Sequence, residues 1–279
     1  MIPTFNFNKI IRTLIITDFF IYSGWGLIMP VLAVFIIDSI EGGDAGVVGM
    51  AIGIYWVAKS ILQIIDWPGR IIGGQVKFSP DGAAVQNLLE LEPNGPEIRS
   101  IRGGEISMIF QEPMTSFSPI HTFGNQIIEA IRLHSSLDKI EAHELAVDWM
   151  RRVGIPTPET RMSEYAYQFS GGQRQRAMIA MALCTEPRVL IADEPTTALD
   201  VTTQAQILDL LQTLQKQNDM AIVFITHDLG VIAEVADIVA VMYLGKVVEI
   251  GPVESIFSSP KHPYSKALLS SMPTIDAAH

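Results

Sequence analysis

Arg188–Val189–Leu190–Ile191–Ala192 is an apolar run that closes on two adjacent carboxylates, Asp193 and Glu194, followed by Pro195. If the run is a buried strand of a parallel sheet, the pair stands at the open edge where such sheets bind ligands. There Asp193 suits Mg²⁺, usually through water, because that ion prefers hard oxygen ligands and keeps much of its hydration shell. Glu194 is placed to polarise a water aimed at a γ-phosphate. A strand followed by an acidic helix cap would read the same way locally.

Other groups repeat the theme in order along the chain. Upstream, Ser170–Gly171–Gly172–Gln173 opens a helical pattern and presents backbone N–H groups and a helix N-terminus to an anion. A flexible turn with a serine cap is the plainer reading of the same residues. Downstream, Ala198–Leu199–Asp200 follows the paired acids. Thr226–His227–Asp228 then ends the next apolar run and puts His227 within reach of a γ-phosphate. A lone histidine there could equally be a cap or a surface residue. Further upstream, Ile109–Phe110–Gln111 places a glutamine at another strand end.

The elements needed to hold these groups are legible around them. Short apolar runs at Val189–Ala192, Ala221–Thr226, Ile238–Tyr243 and Lys246–Ile250 alternate with amphipathic helical stretches, which argues a mostly parallel sheet covered by helices. One such stretch, Leu137–Val153, sets Ile140, Leu145, Trp149 and Val153 near one face, and Gly154 and Pro156 end it. No internal repeat or low-complexity tract is evident.

The front of the chain differs. Phe19–Ile37 carries no charge, and Ala45–Ile65 carries only Lys59. Each is long enough to cross a hydrocarbon core of about 30 Å. Between them lies an acidic, glycine-bearing turn, Asp38–Asp44, with Lys9 and Arg12 before the pair and Arg70 and Lys77 after it. That layout predicts two transmembrane helices over residues 1–66 with both ends inside, and a buried pair of soluble helices is the alternative. The remainder, 67–279, has the composition of a soluble α/β protein, with the boundary at Asp66–Gly69. The whole chain of 279 residues is 48% hydrophobic with a net charge of −11, which excludes a disordered protein and disfavours nucleic acid as a partner. Its one cysteine, Cys184, excludes an internal disulfide and a cysteine-ligated zinc or iron–sulfur site within one chain.

Taken together, residues 68–279 resemble the nucleotide-binding subunit of an ATP-binding-cassette (ABC) transporter, of the dipeptide/oligopeptide importer type. Gln111 matches the Q-loop, Ser170–Gln173 the signature, Val189–Glu194 the Walker B strand with its glutamate, Asp200 the D-loop and His227 the switch histidine. Ile106–Ser116, Ile191–Asp200 and His262–Pro263–Tyr264 carry the importer likeness. Phe169 stands where leucine usually opens the signature, and Phe117–Ser118 where Leu–Asn is usual.

The resemblance implies a P-loop NTPase core with a helical signature subdomain. It implies ATP and Mg²⁺ as cofactors and ATP hydrolysis coupled to peptide import at the cytoplasmic face of the membrane. The implied partners are a second ABC ATPase, transmembrane permease subunits and, indirectly, an extracytoplasmic peptide-binding protein. Glu194, His227 and Gln111 take the catalytic roles, Asp193 and Gln111 the Mg²⁺ roles, and Ser170, Gly171, Gly172, Gln173 and Asp200 bind nucleotide. In this family two ATPases clamp two nucleotides head to tail, each site taking its phosphate loop, acid pair and histidine from one subunit and its signature from the other.

One part is missing. No G-x-x-x-x-G-K-[ST] loop occurs anywhere; the nearest approach, Gly53–Ile54–Tyr55–Trp56–Val57–Ala58–Lys59–Ser60, has Ala58 for the second glycine and bulky residues within. Such residues suit poorly a loop that winds its amides around phosphate. Residues 1–65 instead resemble the first two helices of a major-facilitator transporter, best at Gly24–Trp25–Gly26–Leu27–Ile28–Met29–Pro30. The expectation is therefore a truncated cassette joined to a transporter start, impaired in its own site and lending its signature to a partner. A membrane-tethered remnant without catalysis is the alternative. A DNA-repair or chromosome cassette is disfavoured by the acidic charge and by the lack of a long heptad insertion between Gln111 and Ser170.

Overall fold

The computed structural model describes residues 59–65, 70–80, 84–111, 116–197, 199–243 and 246–271, with backbone alone at 14–22, 28–30, 70 and 72. The chain divides into two compact units, one of residues 1–14, 78–86 and 90–223, the other of 15–77, 87–89 and 224–279.

The first unit is built on buried parallel strands. β5 (Ile106–Ile109) and β6 (Val189–Asp193) are buried at every position, so their sequences are continuous apolar runs rather than alternating ones. They pair in parallel with Ile106 opposite Val189 and Ile109 opposite Ala192, and β7 (Ala221–Ile225) is β6's other neighbour. A short helix, α1 (Pro96–Ile101), precedes β5.

Between β5 and β6 runs a helical stretch: α2 (Phe123–His134), α3 (Lys139–Arg152), α4 (Pro158–Arg161) and α5 (Gly171–Leu183). α6 (Val201–Asn218) follows β6. Asp138 starts α3 by accepting from the amides of Ile140 and Glu141, while Glu141 reaches back to the Asp138 amide, a complete capping box. Gly154 ends α3 at φ +77°, a left-handed conformation that suits glycine. The buried stripe of α3 is Ala142, Ala146, Trp149, Met150 and Val153, whereas Ile140, expected on that face, is 70% exposed. At 3.6 residues per turn Ile140, nine residues before Trp149, falls on the opposite side of the helix, whereas Ala142 and Ala146 lie on the Trp149 side.

The entry to α2 is held tightly against the segment before α5. Thr122 bridges Tyr165, the Phe123 amide donates to Glu164 O at 2.9 Å and the Gly124 amide to Met162 O at 3.0 Å. A methyl group on Gly124 would sit 2.6 Å from the Met162 carbonyl oxygen. Gly124→Ala is therefore expected to destabilise the protein by about 1–3 kcal/mol through forced displacement of backbone. Thermal unfolding checks it; an unchanged Tm would mean that the entry to α2 yields freely.

In the second unit the front of the chain departs from expectation. Over Phe19–Ile37 the sequence predicts a membrane-crossing helix. The described backbone there forms β1 (Leu14–Tyr22) and β2 (Ile28–Pro30), antiparallel with Phe20 opposite Pro30 and Tyr22 opposite Ile28. β1 lies between β2 and β3 (Arg70–Phe78), with β4 (Gln86–Asn87) beyond β3. The physical reason is composition: β1 reads Leu-Ile-Ile-Thr-Asp-Phe-Phe-Ile-Tyr, dominated by β-branched and aromatic residues, and β3 offers a strand edge to pair with. Hydrophobic length does not distinguish such a run from a helix. No described helix is long and apolar enough to cross a membrane. The turn Asp38–Asp44, the stretch Ala45–Ala58 and the boundary Asp66–Gly69 lie outside the described residues.

The rest of the second unit comprises α7 (Leu229–Val235), the antiparallel pair β8 (Ile238–Tyr243) and β9 (Lys246–Pro252), α8 (Val253–Ser258) and α9 (Pro263–Ser270). Glu249 on β9 gathers the tail by accepting from the amides of Lys261 at 2.7 Å and His262 at 3.0 Å; burial raises its carboxyl, but the Ser265 side chain first and these amides next hold it below the usual range. His262 Nδ1 then accepts from the Tyr264 amide to start α9. The His262–Pro263–Tyr264 run is thus a helix start fixed by a strand carboxylate.

Candidate functional site

Parallel register assembles the first part of the site. Because Ile109 faces Ala192, the residues two places further on, Gln111 and Glu194, leave their strands side by side. Gln111 Nε2 donates to Glu194 Oε2 at 2.8 Å across a separation of 83 residues. Two residues singled out from unrelated parts of the sequence therefore meet.

Glu194 is also constrained by its own loop. Its φ is +45°, uncommon for a residue with a side chain, and the turn is closed by the Thr197 amide on Glu194 O at 3.1 Å. Thr197 Oγ1 donates to Glu194 Oε2 at 2.8 Å. Sequence reading passed over Thr197, although a hydroxyl three places after a loop carboxylate is a recognisable local bonding pattern. The outcome is a carboxylate whose one oxygen accepts two hydrogen bonds, with a backbone that aims it off the strand axis.

Asp193 is the opposite case. It is 3% exposed, and its Oδ2 has no hydrogen-bond partner among the described residues. Burial first, and the neighbouring Glu194 second, push its pKa up to about 7. An orphaned carboxylate oxygen at a strand end beside a second acid is what a hydrated Mg²⁺ would complete. The absence of any three-residue cluster of His, Cys, Asp and Glu among the described residues is compatible with that, since this ion is commonly held by one or two carboxylates, water and phosphate. The donors thus fit: Asp193 would hold the ion, with Gln111 near it, and the ion when bound would offset phosphate charge.

The second assembly is the glycine turn. Ser170 caps α5, its Oγ accepting from the Gln173 amide at 3.3 Å while Gln173 Oε1 accepts from the Ser170 amide at 3.0 Å. Arg174 Nη1 ties the approach by donating to Phe169 O at 2.7 Å. Ser170 and Gly171 are exposed. A Cβ on Gly171 would meet nothing within 4 Å, so this corner is open to an approaching group. Gly172 is different: a Cβ there would lie 2.9 Å from Thr203 Cγ2. Thr203 in turn is held by Asp200, whose Oδ1 accepts the Thr203 amide at 3.0 Å and whose Oδ2 accepts the Thr203 hydroxyl at 2.7 Å. Those bonds hold the Asp200 carboxyl below the usual carboxylate range. Ser170–Gln173 and Asp200 are therefore neighbours, joined through Thr203.

Two further candidates belong to the second unit. His227 follows β7, and its successor Asp228 caps α7 by accepting from the amides of Gly230 at 2.8 Å and Val231 at 3.3 Å. Lys59 and Ser60 open a short helical turn, with the Gln63 amide on Ser60 O at 3.1 Å and the Ile64 amide on Lys59 O at 2.9 Å. Both are buried, at 8% and 0% exposure, and the Gln63 side chain donates to Leu88 O. Gly53–Ala58, the rest of the near-miss loop, lies outside the described residues.

Comparison with solved structures gives the fold. The chain matches the ATP-binding cassette MJ0796, solved as a dimer in a post-hydrolysis state with ADP and Pi, at a TM-score of 0.66 and 22% identity, over 86% of this chain and 99% of that one. It matches cbiO1 from Clostridium perfringens with the same score at 23% identity, over 88% and 92%. The class is thus the P-loop NTPase fold of ABC ATPases. By sequence, residues 59–197 match the family described as ABC transporter, and 248–279 the one described as oligopeptide/dipeptide transporter, C-terminal region. The chain is 50% identical over 222 residues to the oligopeptide transport ATP-binding protein OppD of Bacillus subtilis, covering 79% of this chain and 60% of that protein. It is 46% identical over 234 residues to the dipeptide transport ATP-binding protein DppD of Escherichia coli, covering 84% and 69%. Against the glutathione import ATP-binding protein GsiA of E. coli it is 54% identical over 193 residues, 69% of this chain and 31% of that one. The chain belongs to the ABC transporter family, as an ATPase domain of the oligopeptide/dipeptide importer type.

Proposed function

We propose that this chain is an ATP-binding subunit of a peptide importer that serves chiefly by presenting its signature turn to the nucleotide held by a partner ATPase. The observation that carries the proposal is the turn itself: Ser170 and Gly171 exposed and unobstructed, locked by Gln173, and buttressed through Gly172 by the Asp200–Thr203 pair. Its own nucleotide site is unequal to it. Gln111, Asp193 and Glu194 are in place, and Lys59–Ser60 survive, but Ile54–Val57 and Ala58 stand where a phosphate loop needs glycine-bearing backbone. Transition-state charge on a phosphoryl group bound there would lose amide stabilisation.

The names of the relatives support a peptide or a small peptide-like solute as cargo, with transmembrane permease subunits and a second ATPase as partners and ATP with Mg²⁺ as cofactors. The chain works on this reading at the cytoplasmic face of the membrane. Titration of the full chain with Mg-ATP by calorimetry tests the impaired site. Binding too weak to saturate below about 1 mM is expected when the phosphate cradle is lost; a micromolar Kd would overturn it and restore Ala58–Lys59–Ser60 as a working loop.

A further inference from the structure

Phe117 and Phe169 meet on one ring. Phe117 packs edge-on against Phe123 with centroids 4.5 Å apart and planes at 80°, and Phe123 packs against Phe169 at 4.1 Å and 62°. All three are buried, at 4%, 0% and 3% exposure. Arg161 covers the outer side of Phe169, its guanidinium 5.5 Å from the ring centroid, and is itself held by Glu164 at 2.6 Å.

The positions matter more than the packing. Phe117 lies six residues after Gln111, and Phe169 immediately precedes Ser170. Phe123 is the first residue of α2, fixed by its amide to Glu164 O. Gln126, one turn on, holds the chain beside Phe117: its Oε1 accepts from the Ser118 amide at 2.8 Å and its Nε2 donates to His121 O at 3.1 Å. A continuous set of ring contacts and hydrogen bonds therefore runs from the segment after Gln111 to the residue that sets the first dihedral of the signature turn.

We propose that Phe117, Phe123 and Phe169 form an aromatic clasp that orients the Ser170–Gln173 turn, making Phe117 and Phe169 positioning residues for the signature. Each of the two outer rings packs on the shared partner Phe123, so loss of either opens the same set of contacts. The inference rests on the reading that this turn serves a partner's nucleotide, and deepens it by naming what sets the turn's orientation.

Phe117→Leu, Phe169→Leu and the double variant test it in the full chain, since leucine keeps an apolar side chain at both buried positions. Peptide-resolved hydrogen exchange reads the turn without a partner. Phe117→Leu is expected to speed exchange across residues 169–173 by about three- to tenfold, the span of one lost edge-to-face ring pair. The double variant is expected to be no faster than Phe169→Leu alone, because the clasp opens once. Mixed with an intact partner ATPase, each single variant is expected to lower kcat by the same factor with KM unchanged. Unchanged exchange at 169–173 in Phe117→Leu, multiplicative effects in the double variant, or a loss confined to KM would each overturn the clasp. Ser170→Arg is the control that separates the two claims: if it leaves the partner's hydrolysis intact the underlying reading fails, whatever the phenylalanine variants do.

Discussion

Ser170→Arg in this chain is expected to reduce hydrolysis by an intact partner ATPase by about 10²–10³-fold, the loss typical when one preorganised donor set around a reacting group is removed, while Glu194→Gln in the same assembly changes it by less than about twofold. The contrast follows from where the two residues act. Ser170 caps α5 and stands exposed beside the open corner at Gly171. An arginine there removes the cap, at about 1 kcal/mol of helix stability, and fills the corner through which a nucleotide would approach. On the proposed reading Glu194 belongs to this chain's own site, where little hydrolysis is expected without a glycine-bearing phosphate loop. Steady-state hydrolysis of the mixed assembly, with thermal unfolding to confirm that both variants fold, decides the matter. Equal losses from the two substitutions would refute the division of labour.

A second large effect is expected from Asp193→Asn in the protein without nucleotide. Asp193 is buried, has no hydrogen-bond partner on Oδ2 among the described residues and sits beside Glu194, so its pKa stands near 7 rather than at 3.8. The folded state therefore holds a proton at pH 4–7 that the unfolded chain has released, and stability falls as pH rises through that window. The rise corresponds to about 4 kcal/mol once pH exceeds the folded value. Asparagine carries no charge to desolvate. The variant is expected to melt about 8–16 °C above the parent at pH 8, at about 2–4 °C per kcal/mol for a chain of this size, and to match it at pH 4. Equal gains at both pH values, or none at pH 8, would show that this carboxylate is solvated or paired in solution.

The acid pair was legible because a fully buried parallel strand writes itself as an unbroken apolar run, and β6 ends where Asp193 begins the polar sequence. The meeting of Gln111 with Glu194 needed one more fact, the register of β5 on β6, which no single strand contains. Ser170 could be read as a cap because the Gln173 amide and side chain answer it within one turn. The turn's proximity to Asp200 could not, since Gly172 and Thr203 approach through tertiary packing alone.

Three things escaped for definite reasons. Ile140 was grouped with Trp149 on one face, yet nine residues at 3.6 per turn put it on the opposite, exposed side of α3. The front of the chain was read as helical from apolar length, although the β-branched and aromatic content of Leu14–Tyr22 favoured the strand it forms. The phenylalanine clasp hid as two separate small departures from a pattern, and only their common neighbour Phe123 gives them a joint meaning.

The central claim, that this chain lends a signature turn but holds no nucleotide firmly itself, is tested most directly by counting nucleotides. The full chain is mixed with an intact partner ATPase whose catalytic glutamate has been replaced by glutamine, so that Mg-ATP is trapped rather than hydrolysed. Retained ATP is then measured per assembly after rapid removal of free nucleotide. One ATP per pair, falling to none with Ser170→Arg, is the predicted result; two ATP per pair would contradict the account.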